Sequence, residues 1–188
     1  SASESIDAIL YQTRFYFDHP GSKSNILLCD LGEAAGRGVE VRVILEEADW
    51  NPSNSEENRD VYNVLAQSGV SLYFDPAGRT SHSKLVIIDG RYVIVGSTNW
   101  SHYSLDINNE ANVVIESGAI ADEFRQYFEG VLKNCSASYI NPLRVVDGEQ
   151  LSSAKDRYVV MKEVPDSLSY DSTSNRAWIF AGGASVLI

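Results

Sequence analysis

Residues 82–99 constrain this chain more than any other stretch. They read His82-Ser83-Lys84, a run Leu85-Val86-Ile87-Ile88, then Asp89-Gly90-Arg91, a second run Tyr92-Val93-Ile94-Val95, then Gly96-Ser97-Thr98-Asn99. Two apolar runs of strand length hinged on Asp-Gly predict a β-hairpin. A hairpin reverses the chain, so Ser97 and Asn99 return beside His82 and Lys84. Residues two apart on a strand share a face, which lets His82 and Lys84 meet one group together. An imidazole, an amine, a hydroxyl and a carboxamide converge in this way. The set suits a phosphate diester handled without metal: cationic and amide donors for the non-bridging oxygens, and an imidazole to attack or to transfer a proton. The pattern occurs once.

The flanking sequence supplies the rest of an α/β unit. Residues 6–17 are β-branched and aromatic and read as a strand that ends at the turn residues Asp18-His19-Pro20-Gly21. Apolar positions Ile26, Leu27, Leu31, Ala34 and Ala35 recur at helical spacing before Gly36 and Gly38. Residues 39–46 alternate as a second strand, giving β-α-β with a right-handed crossover and parallel strands. Ser53 and Glu56 fit a capping box for a helix that continues through Val61, Val64 and Leu65 to Gly69. Residues 70–74 form a short strand before the motif. Residues 112–115 form another strand after it. Ser117 caps a last helix with Ile120, Phe124, Tyr127, Phe128 and Val131 on one face. The expected fold is a mixed sheet flanked by helices in residues 1–140. Residues 141–188 form a carboxy-terminal extension of weaker periodicity, with short strands at 157–161 and 176–180 and an apolar tail at 182–188 that packs on the domain or serves an interface.

Length and charge set further bounds. The 188 residues suffice for one such domain, and no apolar run approaches the ~18 residues that span a bilayer. The chain opens Ser1-Ala2-Ser3-Glu4 with no initiator Met, which leaves room for a leader, anchor or first helix ahead of it and leaves localisation open. Cys29 and Cys135 have neither ligand spacing nor a redox motif; reduced thiols and a disulfide both remain open. The net charge of −11 is awkward for binding a polyanion, which usually leaves a basic footprint, although the distribution of charge decides rather than its sum.

The spacing His82-x-Lys84-x4-Asp89-x6-Gly96-Ser97-x-Asn99 resembles the HKD signature of the phospholipase D superfamily. The flanking strand at 39–46, the run Ser97-Thr98-Asn99-Trp100-Ser101 and the run Asn108-Asn109-Glu110-Ala111-Asn112 resemble it too. The likeness covers roughly residues 5–134. It is nearest to the short, single-motif branch of bacterial endonucleases and Zucchini-type proteins. It implies a homodimer, two copies of the chain building one site, with one His82 as nucleophile and the second as general acid. It implies Lys84 and Asn99 as phosphate ligands, Glu110 orienting the nucleophilic imidazole, and Asp89 as structural; by its own chemistry Ser97 can donate to the phosphate or orient a neighbour, and Gly96 is structural at the site. No cofactor and no metal are implied.

Three residues near the motif carry two readings each. Arg79 either meets a neighbouring phosphate or is solvated. Trp100 packs or stacks on a base. His102 borders the site or is an ordinary loop histidine. The activity expected first is that of a metal-independent phosphodiesterase, a nuclease with a nucleic-acid substrate. A phospholipase D or phosphatidyl transferase acting on phospholipid is the alternative. A protein that binds nucleic acid without cutting it is a third.

Overall fold

The computed structural model describes residues 1–136 and the backbone of two further strands, Trp178–Ala181 and Ala184–Leu187. In chain order the elements are β1 (Ser5–Leu10), α1 (Lys23–Gly36), β2 (Glu40–Leu45), α2 (Pro52–Leu65), β3 (Ser71–Phe74), β4 (Lys84–Ile88) and β5 (Tyr92–Gly96). A π-helical turn (Tyr103–Ile107), β6 (Asn112–Glu116) and α3 (Gly118–Leu132) follow, then β7 (Trp178–Ala181) and β8 (Ala184–Leu187). Six strands form one mixed sheet in the order β3-β2-β1-β4-β5-β6. β1, β2 and β3 are parallel, as the β-α-β reading requires, and β4, β5 and β6 run antiparallel to their neighbours. β7 and β8 pair antiparallel with each other. The strand expected at 157–161 lies outside the described residues.

The sheet is the middle layer of three. Ala8, Leu10, Val43, Leu45 and Leu72 bury one face against Leu27, Leu28 and Leu31 of α1 and Val61 and Leu65 of α2. Ile9, Ile44, Leu85, Ile87 and Val93 bury the other against Ala121 and Phe128 of α3. The period-2 alternation of each strand thus serves two helical layers. On the α3 side, buried Asp7 accepts from Arg42 Nε at 2.7 Å and faces Arg125 Nε at 3.5 Å, and Arg42 also reaches Glu129 at 2.8 Å. This network fastens α3 to the strands beneath it. Cys29 packs with the first cluster and Cys135 with the second, and both are free thiols.

Three expectations about local structure are corrected, and one feature is new. The first strand stops at Leu10 rather than running to 17. Beyond it Thr13 N donates to Asn58 Oδ1 (2.9 Å) and Arg14 N to the Trp100 carbonyl (3.0 Å), so this segment satisfies its backbone outside the sheet while Phe15 still packs in the core. Helix α2 is capped by Asn51, whose side chain accepts from Asn54 N at 3.3 Å, and not by Ser53. Pro52 takes the first helical position, where its missing N–H costs nothing. On α3 the stripe facing the sheet is Ala121 and Phe128, fully buried, with Phe124 and Val131 partly buried beside them, while Ile120 and Tyr127 remain exposed at its margins. Finally, the link from Trp100 to β6 contains a π-helical turn for which the sequence carries no period signal.

The hairpin is as expected. Asp89 and Gly90 both take positive φ, 52° and 56°, the backbone of a type I′ turn. Asp89 also caps the start of β1: its carboxylate accepts from the backbone N–H groups of Ser3, Glu4 (2.8 Å) and Ser5 (3.0 Å) and from the Ser3 hydroxyl. Burial opposes its ionisation, but these donors outweigh it and hold the carboxyl below its ordinary pKa. At the far end of β5, Gly96 lies flat against the start of β6. A Cβ there would fall well inside contact with Asn112 and the Ala111 carbonyl. Gly96→Ala is therefore expected to lower stability by about 1–3 kcal/mol, the usual range for forced overpacking. Urea denaturation with an unchanged slope and a lower midpoint would show it; an unshifted midpoint would remove the steric argument.

Candidate functional site

The site lies where strand ends meet. β1, β2 and β3 end there by their carboxyl termini, β4 begins there and β5 ends there. Leu85 pairs with Val95, which brings Lys84 opposite Gly96. Tyr11 N donates to the Ser83 carbonyl at 3.2 Å and extends the β1–β4 pairing to the motif. His82 and Lys84 point to the same side. Ser83 points to the other and shares a hydrogen bond with Tyr127 of α3 (3.0 Å).

Lys84 Nζ donates to the His82 carbonyl at 2.9 Å and rests against the imidazole, 3.2 and 3.3 Å from its two nitrogens. The Tyr11 ring supports both side chains: its centroid lies 4.3 Å from that of His82 and 4.6 Å from Lys84 Nζ. Burial and then the Lys84 charge lower the His82 pKa below its ordinary 6.5, so the ring is neutral at pH 7. Burial also lowers the pKa of Lys84, and the charges of Glu110 and Glu46 pull it back up.

Glu110 sits just ahead of β6. Its carboxylate accepts from Ser97 Oγ at 2.5 Å and from Asn108 Nδ2 at 3.2 Å. Burial raises its pKa, but the donors Ser97, Asn108 and Ser104 and the Lys84 charge prevail, and the group lies below the usual carboxylate range. Its partners among the described residues are therefore Ser97, Asn108 and Ser104, not the His82 ring. Ser97 Oγ in turn accepts from Ala111 N (3.0 Å), which locks the two halves together. Asn99 donates to Gln12 Oε1 at 3.3 Å, and its own Oδ1 is buried without a partner.

The remaining expected residues separate. Asp89 is at the opposite end of the hairpin, tied to the start of β1, so its role in the pattern is to anchor the turn. Arg79 is exposed in the loop before the motif. Trp100 is buried in the core, its carbonyl accepting from Ser24 Oγ and Arg14 N. This removes it as a stacking surface. His102 is turned to Asp106 (3.1 Å), which also binds Lys23 (2.7 Å), and belongs to the π-helical turn. Sequence reasoning missed Tyr11 and Gln12. Both follow the last residue of a parallel strand, and that position was the available signal. Among the described residues no three His, Cys, Asp or Glu side chains gather as metal ligands.

Comparison with known proteins gives the family and the fold. A family model described as "Cardiolipin synthase, PLD-like domain" matches residues 1–132. Cardiolipin synthase B of Salmonella typhimurium is 32% identical over 108 residues, 57% of this chain and 26% of that protein. The chain thus spans about a quarter of that relative's length. Phospholipase D of Rickettsia bellii is 28% identical over 111 residues, 59% of this chain and 53% of that protein. Among solved structures, Nuc from Salmonella typhimurium, a phospholipase D family member, superimposes with a TM-score of 0.62 at 24% identity, covering 73% of this chain and 84% of Nuc. That likeness is one of fold.

The contact between Lys84 and His82 has a measurable consequence. The His82 ring should titrate below 6.5 in an NMR pH series. Lys84→Met should move the midpoint up, though not fully to 6.5, because burial remains. An unchanged midpoint would show that the Lys84 charge does not act on the ring.

Proposed function

We propose, for a chain that belongs to the phospholipase D-like family, that it is a phosphodiesterase acting through a covalent phosphohistidine, with nucleic acid as substrate. The observation that carries the chemistry is the pairing of a neutral His82 with Lys84 on one face of β4. The neutral ring presents a lone pair, and the amine supplies the positive charge that a phosphate requires.

In the proposed reaction a ring nitrogen of His82 attacks phosphorus. A P–N bond forms as the P–O bond to the leaving group breaks. The leaving oxygen takes a proton from the imidazolium of His82 of the partner subunit. In the second step that imidazole takes a proton from water as the oxygen attacks, and the P–N bond breaks. Lys84 and Asn99 hold the non-bridging oxygens. Ser97 and Glu110 keep the Gly96–Asn99 segment in place against β6. Two copies are needed because one imidazole cannot begin the same step both bare and protonated. Residues 1–140 carry this chemistry in the proposal, and 141–188 are an extension to it.

An open rim supports nucleic acid. His82, Ser97, Asn108 and Asn109 are exposed, as is Arg79 nearby, so a polymer backbone can pass across the site. A second reading, phospholipid hydrolysis or phosphatidyl transfer, draws on the names of the sequence relatives and on the acidic surface, which resists a polyanion. Incubation with labelled single- and double-stranded DNA, RNA and phospholipid in EDTA, with a primary alcohol present in the lipid arm, separates the two. Cleavage of the nucleic acids is expected, and transfer of phosphatidyl groups to the alcohol alone would replace this reading with the second. With bis-nitrophenyl phosphate in EDTA, His82→Ala should lower turnover at least about 10³-fold, and quenching a phosphorus-labelled wild-type reaction in alkaline denaturant, where a P–N bond survives, should leave label on His82. Turnover that disappears with chelator would overturn the mechanism.

A further inference from the structure

The backbone N–H immediately before the motif histidine has an unusual acceptor. Ser81 N donates to Glu46 Oε2 at 2.6 Å and to Asp75 Oδ2 at 3.0 Å. Two carboxyl groups converge on one donor. Glu46 follows the last residue of β2 and Asp75 the last of β3, so the parallel pairing of those strands sets them side by side. Both are shut off from solvent, Glu46 at 0% and Asp75 at 3% exposure.

The surroundings do not neutralise two negative charges. Among the described residues no Lys or Arg lies within ion-pair distance of either group. Glu47, next along, is paired with Arg59. Asp75 Oδ1 accepts from Glu47 N at 2.7 Å, the Thr80 hydroxyl bonds Glu46, and Asn58 Nδ2 meets only the Glu46 carbonyl. Lys84 feels the Glu46 charge from the site, and the Cys135 thiol, pushed up to about 11 by burial and then by Asp75, faces the pair from beyond α3. Glu46 Oε1 is buried with no hydrogen bond at all, a costly state for an ionised oxygen. Burial, followed by the hydrogen bond to Asp75, pushes Glu46 up to about 8.

The loop that the pair holds has few other ties. Residues 78–80 are exposed, and the loop's further bonds are Arg79 N to the Pro76 carbonyl and Trp50 Nε1 to Thr80 Oγ1 at 3.0 Å. The acid pair grips the chain one residue before His82, and Tyr11 N grips it one residue after.

We propose that Glu46 and Asp75 are a positioning pair for His82: a single shared proton lets both buried carboxyls hold the Ser81 N–H, and loss of that proton releases the segment that carries the imidazole. The effect on activity rests on the phosphodiesterase reading, but the shared proton and its grip on His82 do not. Neither carboxyl touches substrate, and both act through the backbone of Ser81.

The test begins without any substrate. Carbon-13 NMR of the carboxyl groups should show one Glu titrating near pH 8, absent from Glu46→Gln. The Ser81 amide and the His82 ring should shift with the same midpoint in the wild type and stay still over that range in Glu46→Gln. Asp75→Asn should bring the Glu46 titration down, since the charge and hydrogen bond of Asp75 are gone. Linkage gives a second readout. Glu46 binds a proton in the folded chain between its ordinary 4.5 and about 8 and none in the unfolded chain. Wild-type stability should therefore fall relative to Glu46→Gln across that window and run level above it. On bis-nitrophenyl phosphate, Glu46→Gln should keep turnover at pH 7 within about threefold and lose the alkaline decline, while Glu46→Ala should drop turnover tenfold or more with KM little changed. No Glu titrating above pH 6, or Ser81 and His82 unmoved between pH 7 and 9, overturns the pair. Titration near pH 8 that moves His82 in a chain without turnover supports the pair and overturns the phosphodiesterase reading.

Discussion

The pairing of β1 with β4 is the constraint on which the rest of this molecule depends. It is the seam between the parallel half of the sheet and the antiparallel half. Leu10 lies opposite Lys84 and Ile6 opposite Ile88. This register brings the carboxyl ends of three parallel strands to the same edge as the start of β4 and the end of β5. A slip of one residue would turn Leu85 and Ile87 away from α3 and present Ser83, not His82 and Lys84, on the site face. The seam is pinned at both ends, by Tyr11 N on the Ser83 carbonyl and by the Asp89 carboxylate on the first residues of β1. Asp89 therefore matters to the site through register, from the far end of the same strand.

What could be read in the sequence was local. The Asp89-Gly90 turn declares itself because only a few residues tolerate positive φ at two successive positions. Gly96 was legible only as part of the motif, and its close approach to Asn112 and the Ala111 carbonyl emerges from the structure. Alternation in β2 and the helical period of α1 gave the β-α-β unit. The errors have a common cause. Residues 11–17 have strand propensity, yet beyond Tyr11 the backbone N–H groups of Thr13 and Arg14 go to Asn58 and Trp100, partners distant in sequence. Asn51 outcompetes Ser53 as a cap because Pro52 fits one particular helical position. Glu46 and Asp75 look like ordinary acidic residues after two strands. Only the parallel register, which no single segment encodes, makes them neighbours.

Electrostatics near the motif run against the net charge of −11. Glu110 already receives hydrogen bonds from Ser97 and Asn108, so much of its charge is met by fixed donors. Arg42 and Arg125 are spent on Asp7, and Arg59 on Glu47. Lys84 is different. Its closest contacts are a neutral imidazole, a carbonyl oxygen and the face of Tyr11. An incoming phosphate oxygen would find a cation whose charge is only partly compensated, in surroundings that weaken screening by water. Local geometry rather than overall composition governs whether an anion can bind at this edge.

The proposed reaction also needs a proton for the leaving oxygen, and among the described residues none supplies it in the right place. Glu110 is held ionised by its donors. Any proton on Glu46 is buried behind the Ser81 backbone. Lys84 is committed to neutralising the phosphate. The three histidines leave no substitute. The backbone of His19 is fixed in a turn between Tyr16 and Ser22, and His102 is drawn to Asp106 beside Tyr16. Partial desolvation and then the Lys84 charge lower the His82 pKa, which suits attack and unsuits donation. On the proposed mechanism this is half of an acid–base pair, which a second His82 on an identical chain would complete. Binding of the phosphate would then break the symmetry. Its negative charge would favour protonation of whichever imidazole is not bonded to phosphorus, so two chemically identical groups would acquire opposite roles only once the substrate lay between them.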